Sequence, residues 1–275
     1  MPIVETPNSA HELLIPEELN FLAPLVVTDL IRIGRENDGG YGVPETLIRE
    51  AEILVSMGIN DDWSFDEECR KLNPDLRVHA YDFTISRQFF VKRLQMAMIG
   101  VCLGHTSLRV LRKRWHVLKS YDRFFRGPVR HFEERIYNRI DRPYDTTLSR
   151  VFERADSNKI VLKVDIEGSE YRIIDAIVEF ADRIVGLIVE FHDTDPLRPV
   201  FVDGIRKLRQ HFEIVHVHAN NTEGIASDQL PELLEVTFVK RTRHQTLQRR
   251  TVLPLDGVDA PNIPGLPNYQ MRFSA

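Results

Sequence analysis

The chain predicts an α/β protein built on a doubly wound, mostly parallel sheet. Short aliphatic runs alternate along it with stretches of helical periodicity, the sign of a sheet covered by helices. Strand–helix–strand units repeat through the middle, and two late strands lie close enough to pair as an antiparallel edge. With 275 residues, 43% hydrophobic and 28% charged, composition is that of an ordinary globular chain.

Taken in order, Leu30 to Val43 forms two short apolar runs around Arg35-Glu36-Asn37-Asp38-Gly39-Gly40. Adjacent glycines there supply positive φ angles, so a hairpin is expected. Ile53 to Met57 reads as a strand ending at Gly58. Ser64 then reads as an N-cap, with Glu67 completing a capping box that opens a helix to about Lys71. Arg77 to Phe83 is the second strand, ending in Tyr81-Asp82, and Val129 to Phe132 is a short third one. A helix over Thr147 to Ala155 precedes Ile160 to Val164, the most strand-like run. Another helix is expected from about Ser169 to Arg183, with Ile173, Ile174, Ile177 and Val178 on one face. Strand Val185 to Phe191, helix Val200 to His211, and strands Glu213 to His218 and Leu233 to Lys240 follow. Seven strands thus make the sheet, in a single domain spanning 1–275. Pro254, Pro261, Pro264 and Pro267 break up a tail, 254–275, that is extended over the body or loose.

The longest weakly polar run, Met96 to Gly104, is about half the ~20 residues of a bilayer crossing. No charged start followed by an apolar stretch appears, so no leader is expected. Cys69 and Cys102 show no metal-ligand spacing and read as reduced, buried thiols of a cytoplasmic protein. Net charge is −5, but Ser86 to Arg130 holds eleven basic residues against the single acid Asp122. That segment carries +10 and everything else −15. A body this acidic argues against nucleic-acid binding, whereas one basic module argues for a localised anionic partner.

In such a sheet the first strand's exit loop holds the cofactor, and the acid ending the second strand holds its ribose. Here these are Gly58-Ile59-Asn60-Asp61-Asp62 and Asp82, 24 positions apart. The loop lacks G-x-G-x-x-G, and Asp61, Asp62, Asp66, Glu67 and Glu68 crowd the helix start, which disfavours a phosphate or NAD. A cofactor with a sulfonium group and no phosphate, S-adenosylmethionine, fits better. Asp82 would accept from both ribose hydroxyls; without the loop upstream it reads as a solvated strand-end acid. In Leu162-Lys163-Val164-Asp165-Ile166-Glu167-Gly168-Ser169-Glu170, three acids crowd six residues as a strand turns into a helix through Gly168.

At these residues the chain resembles the FkbM-type methyltransferases, whose mark is L-K-[IV]-D-[IV]-E-G-x-E. The likeness extends to residues 35–41, Ser56 to Phe65, Val189-Glu190-Phe191-His192, His216 to Asn221 and Leu234 to Phe238, running from about Arg32 to Lys240. It thins over 86–130. The resemblance implies a class I methyltransferase (Rossmann-like) sheet and methyl transfer from S-adenosylmethionine, often to a hydroxyl of a sugar or natural product.

Such a transfer needs a positioned hydroxyl relieved of its proton. Candidates at the sheet's carboxyl edge are Asp165, Glu190, His192 and His218. An ordinary pKa near 6.5 would leave His192 mostly neutral, hence basic. Bonded to Asp193 or Glu190, it would instead be structural. His216 and His218 share one side of a strand, with His218 the one expected to reach the cleft. Asp165, Glu190, His192 and His218 could alternatively hold a divalent metal such as Mg, Mn or Zn, although no spacing is diagnostic and metal dependence is not favoured. The Asp38-Gly39-Gly40-Tyr41 turn is expected to lid the cofactor through Gly40 and Tyr41. Trp63 reads as an adenine stack, a pocket wall or core; Lys163 reads equally as surface charge or ligand contact.

Within 86–130, Phe89, Phe90, Leu94, Met98 and Val101 lie at helical spacing, as do Leu108, Leu111, Trp115 and Leu118, predicting two inserted amphipathic helices. Their arginines are solvated, or clamp an anionic glycan acceptor, join a homo-oligomer, or touch an anionic membrane surface, in that order of expectation. The reading is an O-methyltransferase acting on a saccharide hydroxyl; the alternative is an inactive scaffold that keeps the fold.

Overall fold

In the computed structural model, residues 12–241 and 248–274 are described. The chain's start, where no leader is expected, and Ala275 lie outside them. Seven strands form the central sheet: β1 (Ile53–Met57), β2 (Arg77–Tyr81), β3 (Val129–Phe132), β4 (Ile160–Val164), β5 (Ile184–Phe191), β6 (Phe212–Ala219) and β7 (Leu234–Lys240). Their order is β3-β2-β1-β4-β5-β7-β6. All run parallel except β7, which is antiparallel to both β5 and β6. Two halves wind outward from the β1–β4 pair, with one reversed strand inserted near the far edge. That is the class I methyltransferase arrangement.

The central strands are apolar on both faces because both are covered. Ile53, Val55, Met57, Ile160, Leu162 and Val164 face one layer of core. Leu54, Val161 and Ile188 face the other. The helices are α1 (Glu45–Glu50), α2 (Ser64–Leu72), α3 (Arg87–Cys102), α4 (Leu108–Phe124), α5 (Leu148–Ala155), α6 (Ile174–Glu179) and α7 (Arg198–Leu208). The expected hairpin pairs Leu30–Gly34 with Gly40–Pro44. It packs across the sheet, where Thr237 Oγ1 donates to the Gly42 carbonyl at 2.8 Å.

Several local expectations are corrected. Ser64 is the first helical residue of α2, and its hydroxyl is buried without a partner. Trp63 holds the N-cap position without a side-chain cap, and Asp62 before it accepts from Ser64 N through Oδ1 at 3.0 Å. The predicted helix over 169–183 is broken into α6 flanked by short 3-10 turns, Glu170–Arg172 and Ala181–Arg183. The Glu170 side chain turns back to accept from the amides of Ile166 and Gly168, which forces a tight bend where a regular helix would start. Cys69 is buried as expected, but Cys102 is exposed.

The tail is packed. Val252–Leu253 pairs with Gln270–Arg272, which pairs in turn with Glu12–Leu14, and Leu253, Met271 and Phe273 are buried. Between these strands it crosses the β6 and β7 ends, where Asn262 Nδ2 donates to Glu235 at 2.8 Å and Asn221 Nδ2 to the Pro267 carbonyl at 3.0 Å. Among the described residues no helix is long and apolar enough to cross a membrane.

Candidate active site

Strand order reverses between β1 and β4, so their carboxyl ends splay and open a crevice there. A cavity of about 610 Å³ occupies it, walled by the exits of β1, β2, β4 and β5 and by the hairpin. Gly58 is obligatory at the floor. Its φ is +73°, and a Cβ there would stand 1.6 Å from the Asp165 carbonyl oxygen. That close approach lets β1 and β4 end side by side, with Asp165 N donating to the Met57 carbonyl at 3.1 Å.

Asp165 and Glu190, from adjacent strands, converge on one hydroxyl. Tyr41 Oη lies 3.1 Å from Asp165 Oδ2 and 3.0 Å from Glu190 Oε2. A phenol has one proton, so it can donate to only one of these carboxylates at a time. Burial, with Asp165 and Glu235 nearby, pushes the Glu190 pKa well above the usual carboxylate range. The Tyr41 hydroxyl is thus shared between the Asp165 and Glu190 oxygens. Asn220 Nδ2 donates to the other Glu190 oxygen at 3.2 Å.

Beneath them Lys163 is buried, which corrects its reading as a surface charge. Its Nζ donates to Asp165 Oδ2 at 3.1 Å and lies 4.9 Å from the Tyr41 ring centroid. Burial lowers its pKa, but Asp165, Asp66 and Glu190 together raise it above the ordinary value. Burial lifts the Asp66 pKa to about 6, against the pull of Lys163. Lys163 stands in the 162–170 motif, but no motif singles out Asp66. Beyond that, their signal in the sequence was only a charged residue in an apolar strand and an acid on the inner face of α2.

His192 also reaches the cavity, but not as a neutral base. Its Nδ1 donates to Glu170 Oε1 at 3.2 Å, and its Nε2 lies 3.6 Å from Glu167 Oε2. Burial lowers its pKa, yet the bond to Glu170 and the charges of Glu170, Glu190 and Asp165 raise it to about 9. At neutral pH it is an imidazolium. His218 does not reach the cavity at all. It is buried between Glu235 Oε2 at 3.1 Å and Asn268 Oδ1 at 3.3 Å, under the tail. His216 is likewise packed, against Asp259.

Of the four conceivable metal ligands, only Asp165, Glu190 and His192 therefore cluster. Lys163 already binds Asp165 and Tyr41 bridges both carboxylates, so a dication would compete with these hydrogen bonds for its ligands.

The other expected binding residues are distributed unevenly. Asn60, Asp61, Asp82 and Glu167 line the cavity, whereas Gly40 does not. Gly40 is closed in by the Arg35 carbonyl and the Arg32 guanidinium, and Gly39 takes its place on the wall. Asp82 Oδ2 accepts from Asn60 N at 2.7 Å, and Oδ1 from Thr84 N and Oγ1 at 2.8 and 2.6 Å. A carboxylate offers about four acceptor positions, so Asp82 keeps room for one further donor, not for two ribose hydroxyls. Trp63 is core, edge-on to Phe90, Tyr121 and Phe125 at 5.5–5.9 Å, and it roots the inserted helices. No residue of 86–130 lies on the wall of this cavity.

The loop after β1 carries its acids neutralised from outside: Arg35 pairs with Asp62 at 2.8 Å and Arg93 with Asp61 at 3.2 Å. With Gly58 closed onto Asp165, the loop has no glycine-rich phosphate cradle, and a cofactor without phosphate fits it.

Strand order and the switch-point cavity together define a class I methyltransferase-fold protein. No family model matches the chain, and no curated protein matches it in sequence. Among solved structures it is similar to the fibrillarin pre-rRNA processing protein of Methanococcus jannaschii, at 7% identity over 70% of this chain and 68% of that one, TM-score 0.37. It is also similar to the precorrin-6y C5,15-methyltransferase of Geobacter metallireducens GS-15, at 14% identity over 72% and 85%, TM-score 0.35. Spermidine synthase of Thermotoga maritima is a third, at 13% identity over 72% and 56%, TM-score 0.34. The fold assignment stands on the strand order itself.

Proposed function

We propose that the chain is an S-adenosylmethionine-dependent O-methyltransferase acting on a hydroxyl of a saccharide or glycan-like acceptor. The observation that carries the reading is the meeting of Tyr41, Asp165 and Glu190 at the switch point, beside a β1 loop with no phosphate cradle. The sulfonium cofactor, when bound, supplies an electrophilic methyl group. Gly58, Asn60, Asp61 and the free acceptor position of Asp82 are the groups that would hold it, with Asp165 and Glu167 at the opposite wall and Tyr41 above. The resemblance of residues 162–170 to the FkbM-type methyltransferases supports oxygen as the atom methylated and a sugar-like acceptor.

The chain's own residues divide the remaining work. Asp165, held between Lys163 and Tyr41 at the switch point, is the group placed to receive the acceptor proton, and His192 is already charged. Lys163 fixes the Asp165 carboxylate, and Tyr41 orients it from the other side. Positioning by such groups accounts for several kcal/mol of a barrier, and a general base for about 10²–10⁴-fold. His192, paired with Glu170, contributes positive charge at the rim rather than basicity.

The test is a thermal shift of the purified chain with S-adenosylhomocysteine, beside NAD. Ligand at about 100 times Kd contributes about 2.7 kcal/mol, roughly 5–10 °C for a chain of this size. A shift of that order with S-adenosylhomocysteine and none with NAD supports the reading. No shift, or a shift with NAD alone, overturns it in favour of a scaffold or a nucleotide-binding role.

A further inference from the structure

The two inserted helices are joined to the body only at their root. Phe90 in the first turn of α3 and Tyr121 in the last turn of α4 are buried against Trp63. Toward the connecting turn burial ends. Met96 is 69% exposed, Leu103 63% and Leu108 71%, and Ile99 is also exposed. Of the predicted apolar stripes, Phe89, Phe90, Leu94, Val101, Leu111 and Leu118 are buried or half-buried, while Met98, Leu108 and Trp115 are exposed.

Some of the insertion's cations are paired: Arg87 with Asp122, Arg93 and Arg114 with Asp61, and Arg123 with Glu67. Nearer the tip, Arg109, Arg112 and Lys113 have no acidic partner among the described residues and are exposed. An aliphatic end ringed by unpaired cations matches an anionic interface in both of its terms: acyl chains for the side chains, headgroup charge for the guanidinium and ammonium groups.

From Phe90 to Leu103 a helix rises about 20 Å, so the apolar end stands more than two ~8 Å screening lengths from the root at physiological salt. A second copy docked tip to tip would set the unpaired cations of both copies against each other, whereas an anionic headgroup layer neutralises them.

We propose that the α3–α4 tip docks on anionic lipid, seating Met96, Ile99, Leu103 and Leu108 at the acyl boundary while Arg109, Arg112 and Lys113 meet the headgroups. The proposal is independent of methyl transfer, since it needs no cofactor. It is tested by co-sedimenting the full chain with phosphatidylcholine vesicles, with and without phosphatidylserine. Binding is expected only with phosphatidylserine, and to weaken as salt rises. Replacing Arg109, Arg112 and Lys113 by Gln should weaken it about a hundredfold, at about fivefold per basic residue. Leu103→Ser with Leu108→Ser should also weaken it, with an unchanged melting temperature because both side chains are exposed. No binding to phosphatidylserine vesicles, or equal binding by either variant, overturns the proposal. So does a dimer in solution that the Gln variant dissociates, which would assign the tip to a second copy.

Discussion

The Tyr41 hydroxyl stands 3.0 Å from Glu190 Oε2, although 149 positions separate the two residues. Tyr41 comes from a hairpin outside the sheet and Glu190 from the end of β5, so their meeting fixes the hairpin over the cavity. Burial and the neighbouring Asp165 and Glu190 hold the phenol protonated, well above its ordinary pKa. Tyr41→Phe keeps the edge-on ring contact with Phe65 but removes the proton between the carboxylates. Turnover should fall by about 10²-fold, with the S-adenosylhomocysteine thermal shift retained. Full turnover in this variant would remove Tyr41 from the mechanism.

The charge on His192 should be visible directly. Its folded pKa, about 9, lies above the ordinary 6.5. Its pairing with Glu170 therefore stabilises the fold fully below about pH 6.5, and that contribution is lost as pH rises through about 9. Glu170→Gln removes the partner, and the imidazole titration followed by NMR should move down toward the ordinary value. If wild type and variant titrate together near 6.5, the imidazolium assignment is wrong.

Gly58→Ala tests the closed floor. The added Cβ meets the Asp165 carbonyl oxygen, and the positive φ alone disfavours any side chain. The backbone conformation should cost about 1–3 kcal/mol, read as a lower urea midpoint, and displacement of Asp165 should abolish both ligand shift and turnover. A variant with normal stability and binding would show that β1 and β4 need not approach so closely.

Trp63→Ala should free the inserted helices from the body. The ring fills the space between Phe90, Tyr121 and Phe125, so its loss should cost about 3–5 kcal/mol. Limited proteolysis should then cut first within 86–130. An unchanged cleavage pattern would mean that the root is held by its ion pairs instead.

What could be read in the sequence is what local physics encodes. Strand periodicity, the Gly-Gly hairpin and the glycine after β1 depend on neighbours a few positions away, and each lies where it was expected. The helix after β4 was misread because its periodicity is real, yet Glu170 folds back onto the Ile166 and Gly168 amides and breaks the first turn. The N-cap of α2 was misplaced by one position: Trp63 occupies it, and the path of the loop brings Asp62 onto the Ser64 amide.

By itself, then, the sequence determined the order of strands and helices, the acid-rich exits of β1, β2 and β4, and the charge split between body and insertion. Tertiary structure alone decided which titratable groups face one another, and hence their protonation. His192 was expected to be a base and is an acid's partner; Lys163 was left open and is buried under Asp165; His218 was expected in the cleft and lies beneath the tail. Periodicity says which face of an element is apolar. A side chain's charge depends on burial and on partners brought from distant segments, and no local pattern carries that information.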